Sequence, residues 1–293
     1  MRNAAWFARG PTVLGVAVDE HLQVVGSVDI EPGQSVTVGR HTACGLHLPS
    51  ESVSLRQLVV YAQSGAPGAP PDIRLWDLNT QQPFFTEDGE PNGAVIARGL
   101  LYVAVDGYAL LFMPTRGFSG RAWPEDAEAA WSQLPPRQFI DQRSCSTDLG
   151  PPPRPRGAGQ PPPSRIIRVD APKPLSGQDR PESAWGSLRL VGAGQREEHY
   201  ISLSRLEQGV LLGRYDRCGI VLASSGLGLS RVHLLLIRMG DEVLAIDTAS
   251  SNGTWRGPVE VQTTALEDSD SLELGESLLI HWRRLSRHSR SVG

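Results

Sequence analysis

Two stretches of this chain, far apart in sequence, are written to one pattern. Val38-Gly39-Arg40-His41-Thr42-Ala43-Cys44-Gly45-Leu46-His47-Leu48 matches Leu212-Gly213-Arg214-Tyr215-Asp216-Arg217-Cys218-Gly219-Ile220-Val221-Leu222 without a gap. The glycine-arginine and cysteine-glycine pairs coincide, and both ends are apolar. After a two-residue slip, Ser54-Leu55-Arg56-Gln57 falls opposite Ser230-Arg231-Val232-His233. Further on, Trp76-Asp77 falls opposite Ile246-Asp247, and 103–113 opposite 272–282. A unit written twice folds twice, and 293 residues suffice for two domains of roughly 100 to 150 residues, each with its own core.

The rhythm around these matches is that of short strands. Apolar segments at 13–18, 22–28, 35–38, 58–61, 73–78, 95–96, 100–105 and 108–113 are broken by turn residues, and no long 3.6-residue period intervenes. The same rhythm returns at 187–191, 199–203, 210–212, 220–222, 233–238, 243–247, 271–274 and 278–282. Between them, 116–183 holds 13 of the 23 prolines, and that density favours extended, unpaired backbone. The expectation is an all-β protein: two β-sandwich domains over 1–115 and 184–285, joined by a proline-rich linker over 116–183. One short helix is expected near 125–134. The 286–293 tail is arginine-rich and reads as a solubilising end, and the linker arginines Arg154, Arg156, Arg165 and Arg168 read as a solvated charge run.

Composition excludes several chemistries. A net charge of −4 draws in neither nucleic acid nor an anionic membrane, so any anion site must be local. Basic strands interleaved with aromatic residues, the mark of a nucleic-acid surface, are missing. The single lysine, Lys173, lies between Pro172 and Pro174. That leaves no lysine on an ordered element for a Walker-type phosphate loop, a kinase ATP site or a Schiff base. Three scattered cysteines, Cys44, Cys145 and Cys218, suit a reducing compartment. No apolar run approaches the roughly 20 residues of a membrane helix, and the run at 13–18 lacks a cleavage site after it. A cytoplasmic location without membrane insertion is expected.

The second copy concentrates phosphate chemistry on successive loops. Gly213-Arg214 follows an apolar strand, and glycine there allows a sharp turn that offers the planar guanidinium to two oxygens at once. Ser230-Arg231 adds a hydroxyl and a second cation, with Arg217 in reserve. Asn252-Gly253 is a hairpin signal because both residues tolerate positive φ. Taken together, Gly213-Arg214, Ser230-Arg231-Val232-His233 and Ser251-Asn252-Gly253-Thr254 resemble the forkhead-associated (FHA) domain, a β-sandwich that binds phosphothreonine peptides on its loops. The resemblance covers about 184 to 285 and implies specific roles. Arg214, Ser230, Arg231, Ser251 and Asn252 would contact the phosphopeptide, the asparagine holding peptide backbone and Ser251 reaching the phosphate. Gly213, His233, Gly253 and Thr254 would support the site, with His233 a buried brace for the loop bearing Ser230. The expected partners are phosphothreonine-containing proteins, namely a Ser/Thr kinase or its substrates. No cofactor or metal is implied.

The first copy keeps Arg40 and Ser54 but has Gln57 opposite His233, and Gln81-Gln82-Pro83-Phe84 opposite Ser251 to Thr254. It reads as a degenerate FHA-like unit with a possible vestigial site at Arg40 and Ser54. His41, Cys44 and His47 have a spacing that suggests metal ligation. Their counterparts Tyr215, Cys218 and Val221 retain only the cysteine, which reads as a core residue. Gly226-Leu227-Gly228 and Gly192-Ala193-Gly194 read as turns, since no helix pattern follows either. The functional expectation is a non-catalytic adaptor in Ser/Thr kinase signalling, the alternative a phospho-independent assembly protein using such domains as scaffolds. An enzyme is disfavoured: no nucleophile elbow, His-Glu-x-x-His helix or Cys-x-x-Cys pair is present.

Overall fold

The computed structural model describes residues 12–65, 70–80, 82–115, 134–143, 163–174, 179, 181–192, 194–222, 228–276 and 278–285. They fall into two compact units, Met1–Ala171 and Pro172–Gly293. Each is a pair of β-sheets closed over its own core, as the strand rhythm requires.

The first unit opens with β1 (Val13–Val18), β2 (Val24–Ile30), β3 (Ser35–Gly39), β4 (Leu46–His47), β5 (Leu58–Gln63) and β6 (Asp72–Asp77). It continues through β7 (Phe84–Thr86), β8 (Pro91–Asn92), β9 (Ala94–Arg98), β10 (Leu101–Val105) and β11 (Tyr108–Pro114), and ends with β12 (Arg137–Asp141) and β13 (Ser164–Arg168). One sheet runs β2-β1-β11-β10-β7-β8, the other β12-β13-β9-β6-β5-β3-β4. Alternation along the strands sends Val36, Val38, Leu58, Val60, Ile73, Leu75, Leu101, Val103, Leu110 and Phe112 into the space between them.

β12 and β13 correct the expectation that the 135–183 part of the proline-rich stretch is a semi-rigid linker of extended, unpaired backbone. Proline breaks ladders because it lacks an N–H, but 137–141 and 164–168 contain none. β13 pairs antiparallel with β9, whose edge groups would otherwise stand open, and β12 pairs parallel with β13. Ile166 reaches the core at 2% exposure, Phe139 packs beside it, and Arg168 lies over the Phe139 ring at 5.3 Å. Ser164 fastens the strand by accepting the Leu100 N–H at 3.1 Å on its Oγ. The tail at 286–293 and all of the helix expected near 125–134 except its last residue, Leu134, lie outside the described residues, as do Arg154 and Arg156.

The second unit begins with a 3-10 turn (Pro181–Ser183), β14 (Ala184–Gly192), β15 (Gln195–Ser202), a short helix α1 (Leu203–Gln208) and β16 (Val210–Gly213). Then come β17 (Ile220–Val221), β18 (Leu234–Met239), β19 (Glu242–Asp247), β20 (Thr254–Arg256), β21 (Val259–Glu260), β22 (Thr263–Leu266), β23 (Ser269–Leu274) and β24 (Leu278–Arg284). The sheets run β15-β14-β24-β23-β20-β21 and β17-β16-β18-β19-β22. Strand for strand, β14 to β24 follow the order of β1 to β11. The sequence pattern missed α1, whose only buried residue is Leu206. Leu188, Leu212, Leu236, Leu272, Ile280 and Trp282 form the centre of this core. Among the described residues no helix is long and apolar enough to cross a membrane.

Because Ile166 fills the first core from a strand outside the eleven-strand frame, Ile166→Ala should destabilise that unit by about 2–5 kcal/mol. Urea denaturation of the full-length chain measures this; an unchanged midpoint would mean that β13 is not part of the folded unit.

Candidate functional site

At one end of the second unit the β16–β17, β17–β18 and β19–β20 connections are stitched together by backbone bonds. Gly213 ends β16 against the second of them, so closely that a Cβ there would lie 2.0 Å from the Arg231 carbonyl oxygen. No side chain fits. The contact is held by the Arg214 N–H donating to Ser230 O at 3.1 Å and the Tyr215 N–H donating to Arg231 O at 2.9 Å. The Arg214 Nε–H donates to Leu229 O, which anchors the stem of an exposed side chain. Arg231 is also exposed, while Arg217 lies 5.8 Å over the Tyr215 ring.

The third loop is joined to the second through Ser230. Its Oγ accepts the Ser251 N–H at 2.9 Å and donates to Ser251 Oγ at 3.4 Å. Ser230 is only 4% exposed and so lies beneath Ser251, which is exposed together with Asn252. Below both, His233 is fully buried. Its Nδ1 accepts the Ser230 N–H at 3.3 Å and its Nε2–H donates to Gly253 O at 3.1 Å, a pattern that needs the neutral ring with its proton on Nε2. One imidazole therefore ties the Ser230 loop to the Asn252-Gly253 turn.

Three residues that sequence reasoning missed complete the arrangement. Asp247, at the end of β19, accepts the Ser250 N–H at 2.7 Å, the Ser250 hydroxyl at 2.6 Å and the buried Thr254 hydroxyl at 2.6 Å. An aspartate bonding the N–H three residues on is a turn signal that was there to be read. Thr248 donates its hydroxyl to Val232 O at 2.9 Å, a contact that only tertiary structure creates. Gly228 has φ +66°, and a Cβ there would fall 1.9 Å from Asn252 Nδ2, so the asparagine amide rests where any other residue would carry a side chain. Its neighbours 226 and 227 lie outside the described residues.

The first unit repeats the stitching with other side chains. Arg40 N–H donates to Ser54 O at 2.9 Å, His41 N–H to Leu55 O at 2.9 Å and Arg40 Nε–H to Val53 O at 3.1 Å. Gln57 stands where His233 does. Its Oε1 accepts the Ser54 N–H at 3.1 Å and its Nε2 donates to Gln82 O at 2.8 Å, so an amide spans the two loops as the imidazole does. Asp77 accepts the Thr80 N–H and hydroxyl as Asp247 accepts those of Ser250, and burial pushes its carboxyl up to about 6 against the lowering effect of those bonds. Beyond Thr80 the likeness ends: Gln82-Pro83 replaces the asparagine-glycine turn, and Gln81 lies outside the described residues.

The cysteines play the same part in both units. Cys44 Sγ donates to Leu55 O and Cys218 Sγ to Arg231 O, each at 3.4 Å, and burial pushes the thiols up to about 11 and about 12. His41 Nδ1 accepts the Ala43 N–H and His47 Nε2 bonds Arg40 O, so these side chains brace loops. Among the described residues no group of three or more His, Cys, Asp or Glu is placed to hold a metal ion.

Residues 210–275 match the FHA domain family, and the second unit accordingly carries an FHA domain. No curated protein matches the chain. Similar solved structures include the FhaA FHA domain complexed with the intracellular domain of Rv3910, at 30% identity over 33% of this chain and 99% of that domain, with a TM-score of 0.29. The Rv1747 FHA-1 domain of Mycobacterium tuberculosis is 23% identical over 34% of this chain and 100% of its own, with a TM-score of 0.27. An FHA domain of an Arabidopsis thaliana hypothetical protein is 25% identical over 38% of this chain and 94% of its own, with a TM-score of 0.28.

The shared role of His233 and Gln57 gives a direct expectation for stability. His233→Gln should keep both loop bonds and leave the thermal midpoint close to the original, whereas His233→Leu strands the Ser230 N–H and the Gly253 carbonyl at about 1–3 kcal/mol each. Differential scanning calorimetry of the two variants separates these outcomes.

Proposed function

We propose that the loop cluster of the second unit binds a phosphothreonine-bearing segment of a partner protein, and that the chain is a non-catalytic adaptor in Ser/Thr kinase signalling. The observation that carries this reading is the convergence of exposed Arg214, Ser251 and Asn252 around one knot, the Ser230 hydroxyl with the Ser251 N–H. In this reading Arg214 and Arg231 supply the positive charge, Ser251 meets the phosphate from above Ser230, and Asn252 holds peptide backbone with its amide. A phosphothreonine carries about −1.5 to −2 charge at neutral pH and offers three strong acceptors; a bare threonine offers neither. Selection for the phosphorylated form follows from that difference.

The partners in this reading are phosphothreonine-containing proteins, a kinase or its substrates, met in the cytoplasm. Neither cofactor nor metal enters, and binding is reversible. The first unit, a worn copy of the same frame, keeps Arg40 and Ser54 as a vestigial site and acts through packing or protein contact, because Gln82-Pro83 has no counterpart of the Asn252 amide.

Charge-assisted bonds contribute about 1.5–3 kcal/mol each, so Arg214→Ala, which removes two of them, should weaken phosphothreonine-peptide binding about a hundredfold or more. The melting temperature should fall by only about a few degrees, since the exposed side chain gives up a single bond within the unit, to Leu229 O. Arg40→Ala should change affinity less than about twofold. Fluorescence anisotropy of the full-length chain, with unphosphorylated peptides as controls, tests both. Loss of binding in the Arg40 variant alone would assign the site to the first unit instead, and partner capture unchanged by phosphatase treatment would favour a phospho-independent scaffold.

A further inference from the structure

Beside Asn252, on the solvent face of the six-stranded sheet, lies a row of side chains centred on Trp255. Trp255 in β20 stands opposite Glu260 of β21 on one side and opposite Glu273 of β23 on the other. Directly paired residues project from the same face of a sheet, so the indole lies between two glutamates. Leu279 of β24, opposite Glu273 and 36% exposed, continues the row. Both glutamates are exposed and Trp255 is half-buried. Among the described residues neither carboxylate has a hydrogen bond or ion pair.

The row adjoins the loop cluster. The indole Nε1–H donates to Asn252 O at 3.1 Å. Glu260 Oε1 lies 2.6 Å, and Trp255 Nε1 3.1 Å, from the point where a Cβ on Gly253 would be. Trp255 follows Ser251 by four positions in sequence, which bounds their Cα atoms to about 14 Å, the span of about four residues of an extended peptide.

The fold does not demand these charges. In the first unit the corresponding position is Phe85, 41% exposed, which pairs with Pro91 and Ala104. An aromatic residue is kept there with two uncharged neighbours, so the same architecture stands without the glutamates. What Glu260, Trp255 and Glu273 do offer together is the face of a π-system flanked by negative charge, an environment that attracts a guanidinium or ammonium group. The loop cluster, with Arg214 and Arg231, attracts the opposite charge. A ligand lying across both would be dipolar.

We propose that Trp255, Glu260 and Glu273 are specificity-determining residues that select an arginine or lysine within about four residues of the phosphothreonine in the bound segment. This rests on the phosphothreonine reading of the adjacent loops and adds to it the chemical class of the neighbouring residue. The bound sequence would then carry a phosphate and a basic side chain at a set spacing, as a kinase substrate segment with basic flanks does.

The test uses the full-length chain and fluorescence anisotropy with phosphothreonine peptides of otherwise neutral sequence. One arginine, or one glutamate, is moved through the four positions on each side of the phosphothreonine. At one or more positions arginine should tighten binding about fivefold over alanine, the sum of an exposed cation–π contact and exposed ion pairs, and glutamate should weaken it. In the double variant Glu260→Gln, Glu273→Gln the arginine-to-alanine affinity ratio should fall to near one, and in Trp255→Leu it should drop by about half or more. The two glutamates are exposed and their amides isosteric, so unchanged melting shows that the variant is folded. A flat scan in the native chain, or a ratio that survives the double substitution, overturns the proposal. Equal binding of phosphorylated and unphosphorylated peptides would instead overturn the phosphothreonine reading, and this proposal with it.

Discussion

A single buried imidazole holds the loop end of the second unit in shape. His233 accepts the Ser230 N–H on one nitrogen and donates to Gly253 O from the other, and neither bond can be supplied by water in a place with no solvent exposure. Ser251, Asn252 and Arg214, three of the groups proposed to touch a ligand, hang from this link. Ser230 positions Ser251 through its hydroxyl, Gly253 turns the backbone that carries Asn252, and the Ser230 carbonyl fixes the start of the Arg214 side chain. The chemistry at the surface is therefore set from below, by a residue that no ligand would meet.

The first unit shows which parts of this construction belong to the frame. An amide replaces the imidazole at Gln57, a cysteine thiol bonds the same loop carbonyl, and an aspartate closes the same turn, with distances close to those in the second unit. What changes is what stands on the frame: Pro83 where Gly253 gives positive φ, and Pro91 and Ala104 where Glu260 and Glu273 flank an aromatic ring. Frame residues satisfy buried polar groups, which any function would require. Surface residues carry no such obligation, and there the two units part.

Much of this was legible from the chain alone. Short apolar runs between turn residues announced β-sandwiches, the matched segments announced the same frame twice, and glycine, arginine, serine and asparagine at set intervals marked the loops. Other features escaped. The proline count concealed β13, whose five residues are proline-free and whose Ile166 belongs to the first core. Ser230 reads as a free hydroxyl but proves buried beneath Ser251, and Gly228 reads as an ordinary turn but leaves room for the Asn252 amide. Trp255 gave no signal at all.

The division follows from the range of the forces involved. Sequence by itself determined the strand rhythm, the turn at Gly253, and the supply of cations and hydroxyls, because periodicity and backbone freedom act over a few residues. Gly213 was expected to turn sharply but ends a strand, and only the Arg231 backbone packed against it explains why no side chain stands there. Tertiary structure alone decided that β13 would close the edge of β9, that His233 would bridge two loops, and that Glu260 and Glu273 would flank Trp255. Each of those depends on the register between strands distant in sequence, and a register is settled only when whole faces are buried together.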